Sequence, residues 1–182
     1  IYRQGEKEIL HFNIIRGDIP NKSIKASYMI NEKFGYINVE KFSETTYPEM
    51  LIALAQLHQN DCQGLIIDLR GNTGGYMGTA IQMVNEFLQK GRLIVYTEGR
   101  NAPRENYTSN GTGSCQQMPL VVLVDEGSAS SSEIFAGAIQ DNDRGTVIGR
   151  RSFGKGLVQQ PIEFNDGSAI RLTIARYHSP SG

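Results

Sequence analysis

The sequence of 182 residues lacks the features by which several protein classes are recognised. No stretch reaches 18 apolar residues, so no segment is expected to span a bilayer as a helix. Lysine and arginine number 18 against 19 acidic residues, a net charge of −1. The basic excess typical of a nucleic-acid-binding domain or a polybasic membrane anchor is therefore missing. There are two cysteines, Cys62 and Cys115, and the sequence leaves open whether they pair.

Metal-binding motifs are absent as well. The three histidines are scattered at His11, His58 and His178, and neither an HExxH nor a CxxC motif occurs. We therefore expect neither a metal nor another cofactor. A Ser-His-Asp triad stays open, although no local pattern supports it.

Two motifs around Lys155 are similar to known sites without matching them. The segment Gly149–Gly156 is one residue short of a phosphate-binding P-loop, because Gly156 stands where serine or threonine would bind Mg²⁺. The residues that follow have the pattern of a strand, whereas a P-loop opens a helix. Ser152 and Lys155 have the spacing of the serine–lysine motif of penicillin-binding enzymes, but the glycines at 154 and 156 oppose the helix that this motif requires.

The chain length and the order of the sequence patterns predict one α/β domain. A chain of this length can bury about 70% of its unfolded surface, so its core needs no disulfide or metal. From Gly64 onward, short apolar runs alternate with helical patterns, which indicates a largely parallel sheet covered by helices. The patterns predict strands at 7–16, 25–31, 35–39, 65–67, 93–96, 120–124, 146–149, 157–164 and 169–177, helices at 47–59, 78–89 and 130–142, and a long polar loop or flap at 98–117.

A serine-rich segment follows the apolar strand at 120–124 and enters the next helix at Ser130. Propensity favours an ordinary helix N-cap for this serine. The small residues on both sides nevertheless leave room for a substrate carbonyl, and a helix N-terminus offers free N–H groups to a developing oxyanion. The residues alone leave both interpretations open, an N-cap or a nucleophile.

A lysine can replace histidine as the base that activates a serine, provided that it loses its proton. Lys155 is flanked by Gly154 and Gly156 and followed by two apolar residues, and no acidic residue occurs within 145–161. This composition suits a dry pocket without a neighbouring carboxylate. An ordinary solvated surface lysine is the alternative.

Three segments, taken together, resemble one known family. They are Gly64–Gly75 (GLIIDLRGNTGG), Gly127–Asp141 (GSASSSEIFAGAIQD) and Phe153–Gln159 (FGKGLVQ). In order and spacing they resemble the carboxyl-terminal processing, or tail-specific, peptidases of the S41 class. The resemblance covers roughly residues 20–180 and implies the crotonase/ClpP-like ββα superhelix core of the S41 peptidases, an α/β fold.

The resemblance implies roles for five residues. Ser130 would be the nucleophile, Lys155 the general base, and Gln159 the side chain that orients the lysine amine. The backbone N–H groups of Gly75 and Ser131 would form the oxyanion hole. Many relatives have alanine at the position of Ser131, a difference without consequence if only its N–H is used.

Family members usually carry a PDZ domain ahead of the catalytic core. By this resemblance, residues 1–18 are expected to be a remnant of the last strand of a PDZ domain or a linker. Residues 19–182 would be the peptidase core, which in the family continues beyond the segment seen here. Such proteins are exported to the cell envelope, usually to the periplasm in Gram-negative bacteria, and the same location is expected for this one.

The function implied is that of a serine endopeptidase that cleaves proteins near unstructured C-terminal tails. Its expected partners are protein or peptide substrates with such tails and not nucleic acid, while a homo-oligomer stays open. The alternative is a catalytically idle module that binds C-terminal peptides or serves as a scaffold. Retention of Ser130, Lys155 and Gln159 together favours the enzyme, because a scaffold needs none of them.

Overall fold

The computed structural model describes residues 1–17 and 21–182. These residues contain nine strands and three helices. In chain order they are β1 (Ile24–Met29), β2 (Phe34–Val39), α1 (Thr46–Gln59), β3 (Gly64–Asp68), α2 (Met77–Asn85), β4 (Leu93–Gly99), β5 (Ala102–Thr108), β6 (Leu120–Val124), α3 (Ser131–Asp141), β7 (Thr146–Gly149), β8 (Leu157–Glu163) and β9 (Ala169–His178).

The larger of two sheets has the strand order β1-β2-β3-β6-β7. Strands β2, β3, β6 and β7 are parallel, and β1 is antiparallel to β2. The continuous apolar runs of β3 and β6 occupy its centre, as expected for strands that are covered on both faces. The predicted α/β fold with a largely parallel sheet is confirmed.

The core lies between this sheet and the helices. Phe87, just after α2, meets Phe135 of α3 edge to face with ring centroids 5.9 Å apart. Each large side chain buried in this way contributes about 1.5–3 kcal/mol relative to its exposed state. Cys62 and Cys115 are both buried and both free, which answers the question that the sequence left open.

The second sheet is antiparallel, with the order β5-β4-β9-β8. Its strand β5 lies in the segment 98–117, for which the sequence predicts a loop or flap, and that prediction is wrong for residues 102–108 and for residues 98–99 at the end of β4. Most side chains of β5 are exposed, because it is an edge strand that pairs with β4 through its backbone. A strand with so little buried surface has no apolar alternation to reveal it.

The predicted strand at 7–16 is not formed. Phe12 and Ile14 are exposed, with relative accessibilities of 58% and 86%, although their alternation has the period of a strand. Alternation produces a strand only where a neighbouring strand accepts its backbone hydrogen bonds, and none pairs with this segment among the described residues. The expected boundary between 18 and 19 lies outside the described residues.

Helix α1 begins within one residue of the predicted start at 47, but α2 ends at Asn85 rather than at residue 89. Phe87 and Leu88, which follow α2, are buried although they lie in a turn. Their apolar spacing therefore reflects burial and does not indicate a helix. No helix in the described ranges has both the length and the apolar character needed to cross a membrane.

Candidate active site

A loop after β3 approaches the turn that precedes α3. The buried side chain of Asn72 anchors this loop by donating from Nδ2 to the Val39 carbonyl (2.8 Å) and accepting at Oδ1 from the Gly74 N–H (2.8 Å). The Asn72 carbonyl in turn accepts from the N–H of Ala129 (3.0 Å) and the hydroxyl of Ser132 (2.8 Å). One residue therefore fixes the loop to the sheet and to the serine-rich turn.

Two glycines permit this close approach. Gly74 has a φ of +99°, and a Cβ there would lie 2.7 Å from the Cβ of Ser130 and 2.9 Å from the N of Ser131. Gly75 has a φ of +148°, and a Cβ there would overlap the carbonyl of Phe42. The turn around Ser130 can meet the loop only because these positions lack side chains.

Ser130 itself has a left-handed φ of +58° with a ψ of −114°. A non-glycine residue in such a conformation costs about 1–3 kcal/mol, and such strain is concentrated at functional sites. Of the four serines in the run 128–132, Ser130 is the one that lines the cleft described below. The other three are buried and donate their hydroxyls to backbone carbonyls: Ser128 to Leu69, Ser131 to Gly75 and Ser132 to Asn72.

Two backbone N–H groups close to Ser130 are free. Among the described residues, neither the N–H of Gly75 nor that of Ser131 makes a backbone or side-chain hydrogen bond. Ser131 is the first residue of α3, where the helix dipole favours negative charge. The Ser131 hydroxyl donates to the Gly75 carbonyl (2.9 Å), so it ties together the two residues that carry these N–H groups.

A cleft of about 560 Å³ brings the expected site residues together. Gly75, Ser130, Lys155 and Gln159 all line it. Ser131 does not, but it is bonded to Gly75 as described. Lys155 is partly buried and lies in the loop before β8, whereas Gln159 is exposed on β8. The remaining lining residues are Tyr76, Met77, Ile134, Leu157, Val158, Pro161, Arg171 and Tyr177.

The carboxylate of Glu133 lies at the site, where it was not expected from the sequence. It accepts from the backbone N–H groups of Ser130 (2.8 Å) and Lys155 (2.9 Å), so a carboxylate lies against the backbone of both residues. The acid comes from α3 and not from the segment 145–161. The only signal in the sequence is the spacing of Ser130 and Glu133, which is that of a capping box.

Tyr177 of β9 is the second residue that the sequence analysis missed. It lines the cleft, and its hydroxyl is buried without a hydrogen bond of acceptable geometry to any described residue. Burial and the charge of Glu133 raise the pKa of Tyr177, while the neighbouring hydroxyl of Ser130 acts in the opposite direction. The tyrosine is therefore a neutral hydroxyl held beside Ser130.

An apolar extension continues from the cleft. A second cavity of about 390 Å³ shares Met77 and Val158 with it and reaches Tyr107 on β5. The arrangement can hold an extended, largely apolar chain next to the hydroxyls of Ser130 and Tyr177, the amine of Lys155 and two free N–H groups. No group of three or more histidine, cysteine, aspartate or glutamate side chains that could hold a metal occurs in the described ranges 1–17 and 21–182.

Comparison with protein families gives a match to peptidase family S41 over residues 33–182. The chain is 44% identical over 149 residues to a carboxyl-terminal-processing protease of Synechocystis, which covers 82% of the chain and 34% of that protein. It is 38% identical over 184 residues to the carboxy-terminal processing protease CtpB of Bacillus subtilis, which covers 100% of the chain and 38% of that protein. The chain thus spans little more than a third of the length of these relatives.

Solved structures give the same result. The chain superposes on a photosystem II D1 C-terminal processing protease with a TM-score of 0.76 and 35% sequence identity, covering 82% of the chain and 38% of that structure. An S41 protease from Bacteroides fragilis has a TM-score of 0.74 at 16% identity, covering 90% of the chain and 48% of that structure, and shows the fold alone. The expected S41 core fold is confirmed.

Proposed function

Because the chain belongs to peptidase family S41, we propose that it forms the catalytic core of a serine endopeptidase with a Ser130/Lys155 dyad. The observation that carries the proposal is the strained Ser130, which faces the same cleft as Lys155. An ordinary N-cap serine would need neither the left-handed backbone nor a neighbouring lysine.

In the proposed reaction the Lys155 amine takes the proton of Ser130 Oγ as this oxygen attacks the carbonyl carbon of the substrate. The carbonyl oxygen becomes an oxyanion that accepts from the N–H groups of Gly75 and Ser131, each donor being worth about 3–4 kcal/mol in the transition state. The lysine ammonium then protonates the leaving amine. Water hydrolyses the acyl-enzyme with the lysine again as base, and Gln159 orients the amine.

The substrates proposed are proteins with unstructured C-terminal tails. Two relatives are named carboxyl-terminal or carboxy-terminal processing proteases, which supports cleavage near C-termini. The shape of the cleft supports an unstructured chain as the substrate. The cleft is open and mostly apolar, and it is bordered by β8, an edge strand of the second sheet. Export to the cell envelope is proposed from the family resemblance and is tested by fractionating cells with an antibody against the chain.

The test is covalent labelling by a fluorophosphonate–rhodamine probe, followed by mass spectrometry of the labelled peptide. We expect the label on Ser130, no label in Ser130→Ala, and normal labelling in the matched variant Ser132→Ala. Digestion of casein, an unstructured protein, should be lost in parallel. A folded chain that binds C-terminal peptides but takes no label would instead support the idle binding module.

A further inference from the structure

Glu133 makes more contacts than a helix cap requires. Its Oε1 accepts from the Ser152 hydroxyl (2.8 Å) and the Gly154 N–H (2.6 Å). Its Oε2 accepts from the N–H groups of Ser130 (2.8 Å) and Lys155 (2.9 Å). A capping box needs only the bond to Ser130, so the other three bonds serve the loop that carries the lysine.

A single oxygen atom thus joins the backbones of the two residues of the proposed dyad. Ser130 is the N-cap residue of α3 and Lys155 lies in the loop between β7 and β8, so no regular element connects them. Hydrogen bonds to a carboxylate are roughly twice as strong as those between neutral groups. Oε2 therefore links the backbone of the serine directly to that of the lysine.

The lysine loop has few other attachments. A Cβ at Gly154 would meet no atom within 4 Å, although its φ is +88°. Without Glu133 the loop would keep other contacts: the Phe153 N–H donates to the Ser128 carbonyl (3.0 Å), the Gly156 carbonyl accepts from the Tyr177 N–H (3.1 Å), and Arg150 pairs with Glu126 at the surface (2.7 Å). Loss of the carboxylate should therefore loosen the loop without detaching it.

We propose that Glu133 is a positioning residue for the dyad, one that sets the distance and orientation between Ser130 and Lys155 and touches no substrate. The proposal rests on the proposed function, since it assigns to Glu133 a part in that reaction. A misplacement of about 1 Å can cost about 100-fold in rate, so the carboxylate acts on the reaction through geometry.

A matched control exists on α1. Glu49, near the start of that helix, accepts with Oε2 from the N–H groups of Ser23 (2.8 Å) and Ile24 (2.9 Å). It is also a carboxylate in the first turn of a helix that holds a distant segment, but it does not line the cleft. Glu49→Ala removes the same kind of interaction where only stability depends on it.

The conservative variant Glu133→Gln separates positioning from a general structural role. The glutamine amide oxygen can take the place of Oε2 and accept the same hydrogen bonds from the N–H groups of Ser130 and Lys155. Its amide nitrogen then faces the Ser152 hydroxyl, which can accept a hydrogen bond, and only the Gly154 N–H loses its acceptor. Glu133→Gln should therefore retain most of the reaction rate that Glu133→Ala loses.

The experiment measures inactivation by the fluorophosphonate probe at several probe concentrations, which separates the maximal rate from the probe's affinity. In Glu133→Ala we expect the maximal rate to fall about 100-fold, with the affinity within about 3-fold. In Glu133→Gln the rate should recover to within about 10-fold of the unsubstituted chain. Glu49→Ala should lower the thermal midpoint at an unchanged rate.

Three results would overturn the inference while leaving the proposed function in place. These are an unchanged rate in Glu133→Ala, a glutamine variant no faster than the alanine variant at equal folded fraction, or the same rate loss in Glu49→Ala. If the unsubstituted chain takes no label at Ser130, the proposed function fails first and the inference fails with it. If the alanine variant does not fold, a folded glutamine variant whose rate falls by clearly more than about 10-fold would overturn the inference.

Discussion

The two sheets contribute to the site in different ways. The serine turn and the glycine loop follow the central strands of the parallel sheet, where the buried Asn72 holds the loop to β2 and to the serine turn. Lys155 and Gln159 lie just before and on β8, an exposed edge of the antiparallel sheet. One half of the site is thus fixed by burial, and the other by a few hydrogen bonds.

The largest effect is expected from Lys155→Arg on the exposed side. Arginine keeps the positive charge but does not deprotonate in proteins, so the base is lost and the rate should fall about 1,000-fold or more. The measurement is casein cleavage by a chain whose folding is verified by circular dichroism. Arg171→Lys, at the other cationic position of the cleft, is the control and should have little effect. Substantial activity in Lys155→Arg would exclude the dyad.

Next in size is Gly75→Val, in the glycine loop that follows the parallel sheet. The side chain would collide with the Phe42 carbonyl at a φ of +148°, which displaces the proposed oxyanion donor. Cleavage should fall about 100- to 1,000-fold, as for the loss of one such donor. The fold should largely persist, since Gly75 lies in an exposed loop.

The control for Gly75→Val is Gly71→Ala, in the same loop. Gly71 also has a positive φ, +70°, but no atom lies within 4 Å of a Cβ there. We expect a loss of about 1 kcal/mol in stability from the backbone and nearly normal cleavage. Near-normal turnover in Gly75→Val would remove Gly75 from the oxyanion hole.

A smaller effect is expected from Tyr177→Phe, which should slow the reaction without lowering the stability of the fold. The buried hydroxyl lacks a well-formed hydrogen bond, so its removal should leave the thermal midpoint unchanged or raised. Labelling of Ser130 should slow about 10-fold if the hydroxyl acts on the serine or on the bound chain during reaction. Slower labelling together with a lowered midpoint would indicate packing damage instead.

Ser131→Ala should have the smallest effect on cleavage. It removes the hydroxyl bond to the Gly75 carbonyl, worth about 1 kcal/mol of stability, but keeps the backbone N–H proposed for the oxyanion hole. Denaturant titration should show the lower stability, and the cleavage rate should stay within about 3-fold. A loss comparable to that of Gly75→Val would mean that the hydroxyl itself positions the oxyanion hole.

The sequence predicted the parallel sheet far better than the antiparallel one. The strands β3 and β6 are runs of apolar residues because both faces are buried, and such runs are readable without a structure. The strand β5 is mostly polar, since its pairing with β4 uses the backbone alone. The isolated strand predicted at 7–16 failed for the converse reason, an apolar alternation without a partner.

The candidate site divides in the same way. Ser130, Lys155 and Gln159 were named through short motifs, and the structure brings them to one cleft. Those motifs do not indicate Glu133 and Tyr177, because the importance of these residues comes from their tertiary neighbours Ser130 and Lys155. A capping glutamate and a strand tyrosine are common in any sequence, and only tertiary contacts distinguish these two.

The edge position of β8 has a consequence for how samples of this protein behave. An edge strand with few buried side chains opens locally at a much lower free energy than the global unfolding of the core. A preparation can therefore be wholly folded by spectroscopy and still contain only a fraction of competent molecules. Specific activity would report that fraction, and amide hydrogen exchange along 155–163 would measure it directly. Under the proposed function, a substrate chain bound against β8 would raise the fraction of competent molecules.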